Sequence, residues 1–483
     1  MRAVAIVGAA LALAVVGSEA RIGMGVSPRL GKRSKAGVPL DLYERHAAGH
    51  DVGGARMTPV ARRSPAPAAP TNEAQEAQIK SETEACTPYS IPEVVNIKGQ
   101  FPTIWQTADI VPGDSAAQSV WQNIQSQNII PADIKPKGTP NGDFSSFTPT
   151  YDHSDPDCWW TFDNCVKPKH PKIPADVYQC PEPSTWGLTF DDGPNCTQEV
   201  LYDFLQQQNQ KATMFYIGSN VLDWPLQAQR GLVDGHQICV HTWSHQYMTA
   251  LSDSQVFSEL YYTAKAIKDV VGVTPRCWRP PYGDTDDRVR AIATGLGLST
   301  VIWTDDTDDW KAIPAGTLPK ASIDANYASI INKESDSTGN IVLTHELNNG
   351  TMSEMIEQYP QIKQKFKHIV PITACMNETN PYPESITYPN FASYISGDIE
   401  PKGIPSGTDI KVQAASYDPL AAASATAAAG DATGGSTSSS DKQASAQGQK
   451  STGSGKSAAS SNRAGKAIVA VSALGAVSAF MLL

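Results

Sequence analysis

Asp191 and Asp192 stand side by side at the end of the apolar run Gly187-Leu-Thr-Phe190, and Gly193-Pro194 follows them. The run reads as a short buried strand, and acids at such a strand end sit on a turn where side chains and backbone can face a ligand. On its own, Asp-Asp-Gly-Pro is ordinary turn chemistry. Consecutive side chains diverge, however, so one carboxylate can hold a cation while the other stays free as a base. His241 and His245 are four residues apart. If their segment makes a helical turn, that spacing puts both rings on one face. Two imidazoles and one carboxylate hold a divalent, zinc-type ion and leave coordination positions for water and substrate.

Three later segments supply other parts. Arg279-Pro-Pro-Tyr282-Gly283 carries a cation, Asp306-Thr-Asp-Asp309-Trp310 a supporting acid, and Ile341-Val-Leu343-Thr-His345-Glu346 a late histidine. Taken singly, these read as a surface cation, a loop and a strand-end histidine. Together, and in this order, they point to hydrolysis assisted by a metal. His236 and Cys239 precede the first histidine, and Cys277 lies just before Arg279, without removing any part.

The five segments together, spread over roughly residues 180 to 375, resemble those of the polysaccharide deacetylases of the NodB-like carbohydrate esterase family, and most closely the fungal chitin deacetylases. The resemblance implies a distorted (β/α) barrel over about 180–380, with its site at strand ends and the loops that follow, as in other such barrels. It implies Asp192, His241 and His245 as metal ligands, with zinc or cobalt as the ion. Asp191 is then the general base, oriented by Arg279, and His345 the general acid, paired with Asp309. The backbone N–H of Tyr282 would stabilise the oxyanion, while Trp310 and Leu343 would shape a pocket for the acetyl methyl. The implied reaction removes N-acetyl groups from N-acetylglucosamine units of chitin, giving chitosan and acetate for the cell wall. It also implies a disulfide between Cys196 and Cys375.

The elements that must position these residues are legible from periodicity. Strands are predicted at Ala212–Ile217, Ile238–His241, Ser299–Trp303, Ile341–Thr344 and His368–Thr373. Val200, Leu201, Phe204 and Leu205 predict a helix capped by Thr197. Ser252-x-x-Gln255 reads as a capping box, opening a helix with Val256, Leu260, Ala264, Ile267 and Val271 on its buried face. Alternating strands and helices imply a parallel sheet closed or nearly closed into a barrel.

The 483-residue chain has a net charge of −11 and a pI of about 5.3, which argues against nucleic acid as a partner. An uncharged polymer such as chitin is not opposed by that surface. Residues 1–20 combine a basic start, an apolar run too short to span a membrane and a Ser18-Glu-Ala20 cleavage pattern, which reads as a secretory signal. Residues 21–82 read as disordered or as a pro-region, with dibasic Lys32-Arg33 and Arg62-Arg63. Residues 83–179 read as a loop-rich extension packed against the main domain. Residues 413–466 are a Ser/Thr/Ala/Gly stalk, and no packed structure is expected after about 412. The apolar tail 467–483 completes the pattern of a glycolipid (GPI) attachment signal, with Ser457 as the attachment residue and Gly453 or Gly455 as alternatives. A transmembrane helix ending at the last residue is the competing reading. The expected location is the cell wall and the outer face of the plasma membrane, and the expected state a monomer. Eight cysteines suit that oxidising route. Spacing pairs Cys158 with Cys165, and Cys239 and Cys277 read as buried thiols. Sequons at Asn195, Asn349 and Asn377 are candidate glycosylation sites.

Overall fold

A computed structural model describes residues 69–312, 316–333, 337–414, 417 and 419. The signal, the residues up to 68, Ser457, the apolar tail and most of the stalk lie outside the described residues.

Among the described residues there are nine strands: β1 Gln179–Cys180, β2 Thr185–Gly193, β3 Thr213–Tyr216, β4 Gln237–Val240, β5 Cys277–Trp278, β6 Ser299–Thr300, β7 Asp305–Asp306, β8 Gly339–Leu343 and β9 His368–Val370. They form one sheet in the order β1-β8-β2-β3-β4-β5-β6, with β7 beside β8 and β9 beside β2. Every strand pair is parallel except β1 with β8. Strands covered on both faces are expected to be apolar throughout, and all nine residues of β2 are buried. The sheet curls until Val177, just before β1, bridges Val301, just after β6. That single-residue bridge closes the ring, as the barrel reading requires.

Helices sheathe the sheet. Asp253–Val271 begins with the expected capping box, Ser252 with Gln255, and its Val256, Leu260, Ala264, Ile267 and Val271 are all buried. The helix predicted after Thr197 runs Glu199–Gln207, but Thr197 does not cap it. Its N–H and hydroxyl both donate to Asn195 Oδ1 at 2.8 Å. Val200 faces solvent, 49% exposed, so the apolar face is Leu201, Tyr202 and Leu205. The strand predicted at His368–Thr373 stops at Val370, and the helix Ile372–Cys375 takes over.

The flanking segments are more ordered than their composition suggested. Packed structure starts before residue 82: Glu73 and Glu76 are buried, and Gln227 Nε2 donates to Glu76 Oε1 at 3.0 Å. The extension contains the helices Pro92–Ile97 and Ser115–Ser126, whose Val94, Ile97, Val120 and Ile124 join the main core. Phe101 stacks on Trp243 at 5.7 Å. Downstream, Tyr382, Tyr388 and Tyr394 are buried, and Tyr417 packs on Tyr261 at 5.1 Å. Proline-rich, weakly periodic segments are ordered here by a surface already formed, which a periodicity reading does not register.

The cysteines pair as Cys86–Cys196, Cys158–Cys165, Cys180–Cys375 and Cys239–Cys277, with no free thiol among the described residues. The expected Cys196–Cys375 bond is therefore replaced by two others. Cys196 lies three residues past the C-terminal end of β2, where Cys86 of the extension meets it. Cys375 is held with Cys180 near the start of β2; a β-carbon on Gly187 would sit 3.2 Å from Cys180 Sγ. Cys239 and Cys277 are not buried thiols. Each immediately precedes one residue of the paired Val240 and Trp278, so they adjoin on neighbouring strands, with Cα atoms 5.0 Å apart.

Candidate active site

The C-terminal ends of β2, β4, β5 and β8 bring the predicted residues together. The register between β2 and β3 shifts between Asp191 and Gly193, and Asp192 takes a left-handed φ of 73°. A bulge of this kind breaks strict side-chain alternation, and it brings both carboxylates near one ring. His241 Nε2 lies 3.8 Å from Asp191 Oδ2 and 3.4 Å from Asp192 Oδ1.

The two histidines do not share a helical turn. His241 leaves β4, its N–H donating to Tyr216 O at 2.8 Å, and a loop with left-handed Thr242 and His245 brings the second ring round. Buried Glu259 holds that loop. Its carboxylate accepts from the N–H groups of Trp243 and Ser244 at 2.8 Å and from the Ser244 hydroxyl at 2.6 Å, and also from Ala108 N of the extension at 2.8 Å. Glu259 went unnoticed in the sequence; its one signal is its position a turn beyond the capping box.

The arrangement fits a cation. His241 Nδ1 lies 2.8 Å from Arg279 O, and a carbonyl only accepts, so Nδ1 carries the hydrogen and Nε2 of the neutral ring presents a lone pair. That lone pair and His245 Nε2, at 3.1 Å, face Asp192 Oδ1, a buried oxygen without a hydrogen-bond partner. A lone pair facing a buried carboxylate oxygen calls for positive charge between them, which a cation would supply. Asp192, His241 and His245 can hold a metal ion.

Two other groupings do not compete. Cys158 and Cys165, beside Asp155, are bonded to each other and offer no thiolate. Asp324, Glu354 and Glu357 already surround Lys320 Nζ, at 2.7, 3.2 and 2.8 Å.

Around the triad, Arg279 is fully buried and donates from Nη1 to Asp191 Oδ1 and Thr189 Oγ1, both at 2.8 Å, with its guanidinium 4.2 Å from the Phe215 ring centre. Burial lowers its pKa, and Asp191 opposes that shift. Asp191 Oδ2 remains on the metal side. Across the sheet end, Asp309 grips His345 twice: Oδ2 accepts from His345 N at 2.9 Å and Oδ1 from Nδ1 at 2.6 Å. Burial alone would lower the His345 pKa, but the Asp309 charge and bond, with Asp192 and Asp191 behind them, raise it to about 10. Trp310 N donates to Asp309 Oδ1 at 2.8 Å, and Leu343 ends β8 two residues before His345. Tyr282 adopts φ 58° in the turn Pro281–Gly283, with its hydroxyl 3.2 Å from His245 Nδ1. Asp192, Thr242, His245, Tyr282 and Asp308 are all left-handed non-glycine residues.

Of the sequons, Asn195 is tied on both sides, with Nδ2 donating to Leu347 O at 2.7 Å. Asn349 Nδ2 reaches Glu82 at 3.2 Å, and Asn377 is exposed on a left-handed turn.

The polysaccharide deacetylase family matches residues 178–301. Chitin deacetylase 2 of Cryptococcus neoformans var. grubii is 55% identical over 335 residues, covering 68% of this chain and 73% of that protein. The chitin deacetylase of Amylomyces rouxii is 46% identical over 300 residues, 60% of this chain and 69% of that one. The solved chitin deacetylase of Colletotrichum lindemuthianum aligns with a TM-score of 0.40 and 25% identity, over 44% of this chain and 96% of that chain. Identity above one half, sustained over nearly three-quarters of a relative's length, is shared ancestry: this chain belongs to the polysaccharide deacetylase family.

Proposed function

We propose that this chain hydrolyses the N-acetyl groups of chitin, releasing acetate and leaving glucosamine units. One observation carries the reading: the cluster of Asp192, His241 and His245 is flanked by an arginine-held carboxylate and by an aspartate-held imidazole. The family is metal-dependent, and this triad fits the ion, with zinc or cobalt proposed. When bound, such an ion polarises the acetyl carbonyl and makes water more acidic. Asp191 Oδ2 accepts the proton of the attacking water, because Oδ1 is engaged by Arg279. The new oxygen–carbon bond puts negative charge on the former carbonyl oxygen, towards which the Tyr282 N–H donates. His345 Nδ1–H stays on Asp309, so the proton on Nε2 passes to the sugar nitrogen as the C–N bond breaks. Trp310 and Leu343 flank this end and suit the acetyl methyl. Acetate release from chitin oligomers by the metal-loaded protein tests the reading. Release from acetylated xylan but not from chitin would overturn the substrate.

The acid role has a pH signature. His345 donates only while protonated, so turnover is expected to fall as pH rises through about 10. Asp309→Asn removes the charge that raises this pKa, so the falling limb should move to lower pH. Profiles of kcat against pH in both proteins check this; superimposable high-pH limbs would take His345 out of the acid role.

Four disulfides among the described residues suit an extracellular enzyme. No helix among them is long and apolar enough to cross a membrane. The proposed enzyme carries the secretory signal, the stalk and the GPI signal with Ser457, and is a monomer at the cell surface. A phosphatidylinositol-specific phospholipase should then release active protein lacking residues 467–483. Mass analysis that finds that tail in the mature protein would replace the anchor with a membrane helix.

A further inference from the structure

Trp160 belongs to the N-terminal extension, before the matched residues 178–301, yet it packs against the turn that carries Tyr282. Its ring packs on Gly283, next to Tyr282. A β-carbon at Gly283, whose φ is +70°, would lie 2.3 Å from that ring, so glycine is what lets the indole approach. On another side Trp160 meets Trp303 edge-on at 4.8 Å, and Trp303 lies 5.7 Å from the Arg279 guanidinium that holds Asp191. Trp160 thus adjoins the turn that carries Tyr282, and Trp303 stands between it and the Arg279 guanidinium.

The loop that presents it is held firmly. Trp159 is fully buried, and its Nε1 and the Thr161 hydroxyl donate to Asp284 Oδ1 at 2.9 and 2.6 Å. Trp160 N donates to Thr285 O at 3.0 Å. The Cys158–Cys165 bond closes the loop, and buried Arg290 donates to the carbonyls of both cysteines at 2.6 and 2.7 Å. Trp159 alone would anchor the segment. Trp160 is instead only half-buried, beside the turn that carries Tyr282.

We propose that Trp160 is a specificity-determining residue: its indole stacks on an N-acetylglucosamine ring at least two units along the chain from the one that is deacetylated. The apolar C–H face of a β-linked pyranose fits an aromatic plane, and a rigidly held tryptophan loses little freedom on contact. The extension then selects for chain length, adding a subsite to a centre made by the barrel alone. This inference rests on the chitin reading above.

Steady-state kinetics on the N-acetylglucosamine dimer and pentamer test it, using wild type, Trp160→Ala and Trp160→Phe, all metal-loaded and compared for thermal midpoint. For Trp160→Ala the pentamer KM is expected to rise about 10-fold with kcat nearly unchanged, while the dimer, too short to reach, changes little. Trp160→Phe should recover most of the pentamer affinity, because a flat ring is what is needed. If Trp160 merely wedges the Gly283 turn, kcat falls equally on both substrates and phenylalanine does not restore the length dependence; that result overturns the proposal. Unchanged constants on both substrates overturn it as well. A wild-type protein that binds metal but releases acetate from neither oligomer would overturn the chitin reading and this subsite with it.

Discussion

Removal of any one triad ligand is expected to abolish metal binding and acetate release together. Asp192, His241 and His245 are the three side chains whose ligand atoms converge, so each substitution deletes a third of the protein's hold on the ion. Loss of a ligand should weaken binding by more than the ~10–100-fold typical when only an outer hydrogen bond to a ligand is cut. The fold should survive. Asp192 Oδ1 makes no hydrogen bond that would be lost, and removing its charge relieves the crowding of lone pairs. Asp192 and His245 hold left-handed φ values of 73° and 57°, which alanine adopts less readily than aspartate or histidine. Asparagine tolerates that conformation, so Asp192→Asn and His245→Asn are the cleaner variants. Elemental analysis, thermal midpoint and activity on one preparation separate the effects. Full metal occupancy in any of these proteins would sink the ligand assignment.

Asp191→Asn should have the opposite profile: metal retained, turnover lost. The amide oxygen can still accept from Arg279 Nη1, as the carboxylate does at 2.8 Å, but it cannot take the proton of the attacking water. Loss of general-base action costs about 100-fold or more in kcat. A stability cost is also expected, because a fully buried guanidinium would lose its counter-charge. It should stay nearer ~1–3 kcal/mol than the larger penalty of an orphaned charge. Thr189 Oγ1 and the Phe215 face still engage the cation. Near-normal acetate release would mean that another group is the base.

The chemistry was legible in the sequence because it depends on residue type and order. Which acids, imidazoles and cation act together followed from five short segments, and the structure brings all of them to neighbouring strand ends. The Asp253–Val271 helix was equally legible, since a capping box and a 3.6-residue apolar period are local signals. Local spacing misled where the backbone departs from regular structure. His241 and His245 converge through a left-handed loop rather than a helical turn, and a bulge at Asp192, not simple divergence of side chains, brings both carboxylates near the His241 ring.

What the tertiary structure alone decided is pairing across the chain. Cys86 with Cys196 spans 110 residues, and Cys180 with Cys375 spans 195. No local pattern encodes such partners, because they depend on which strand ends the sheet sets side by side. The same holds for Glu259 beneath the histidine loop and Trp160 against Gly283. Residue types along the chain determined what reaction this protein can run. The closing of the sheet, which turns distant positions into neighbours, decided what holds the reacting groups in place.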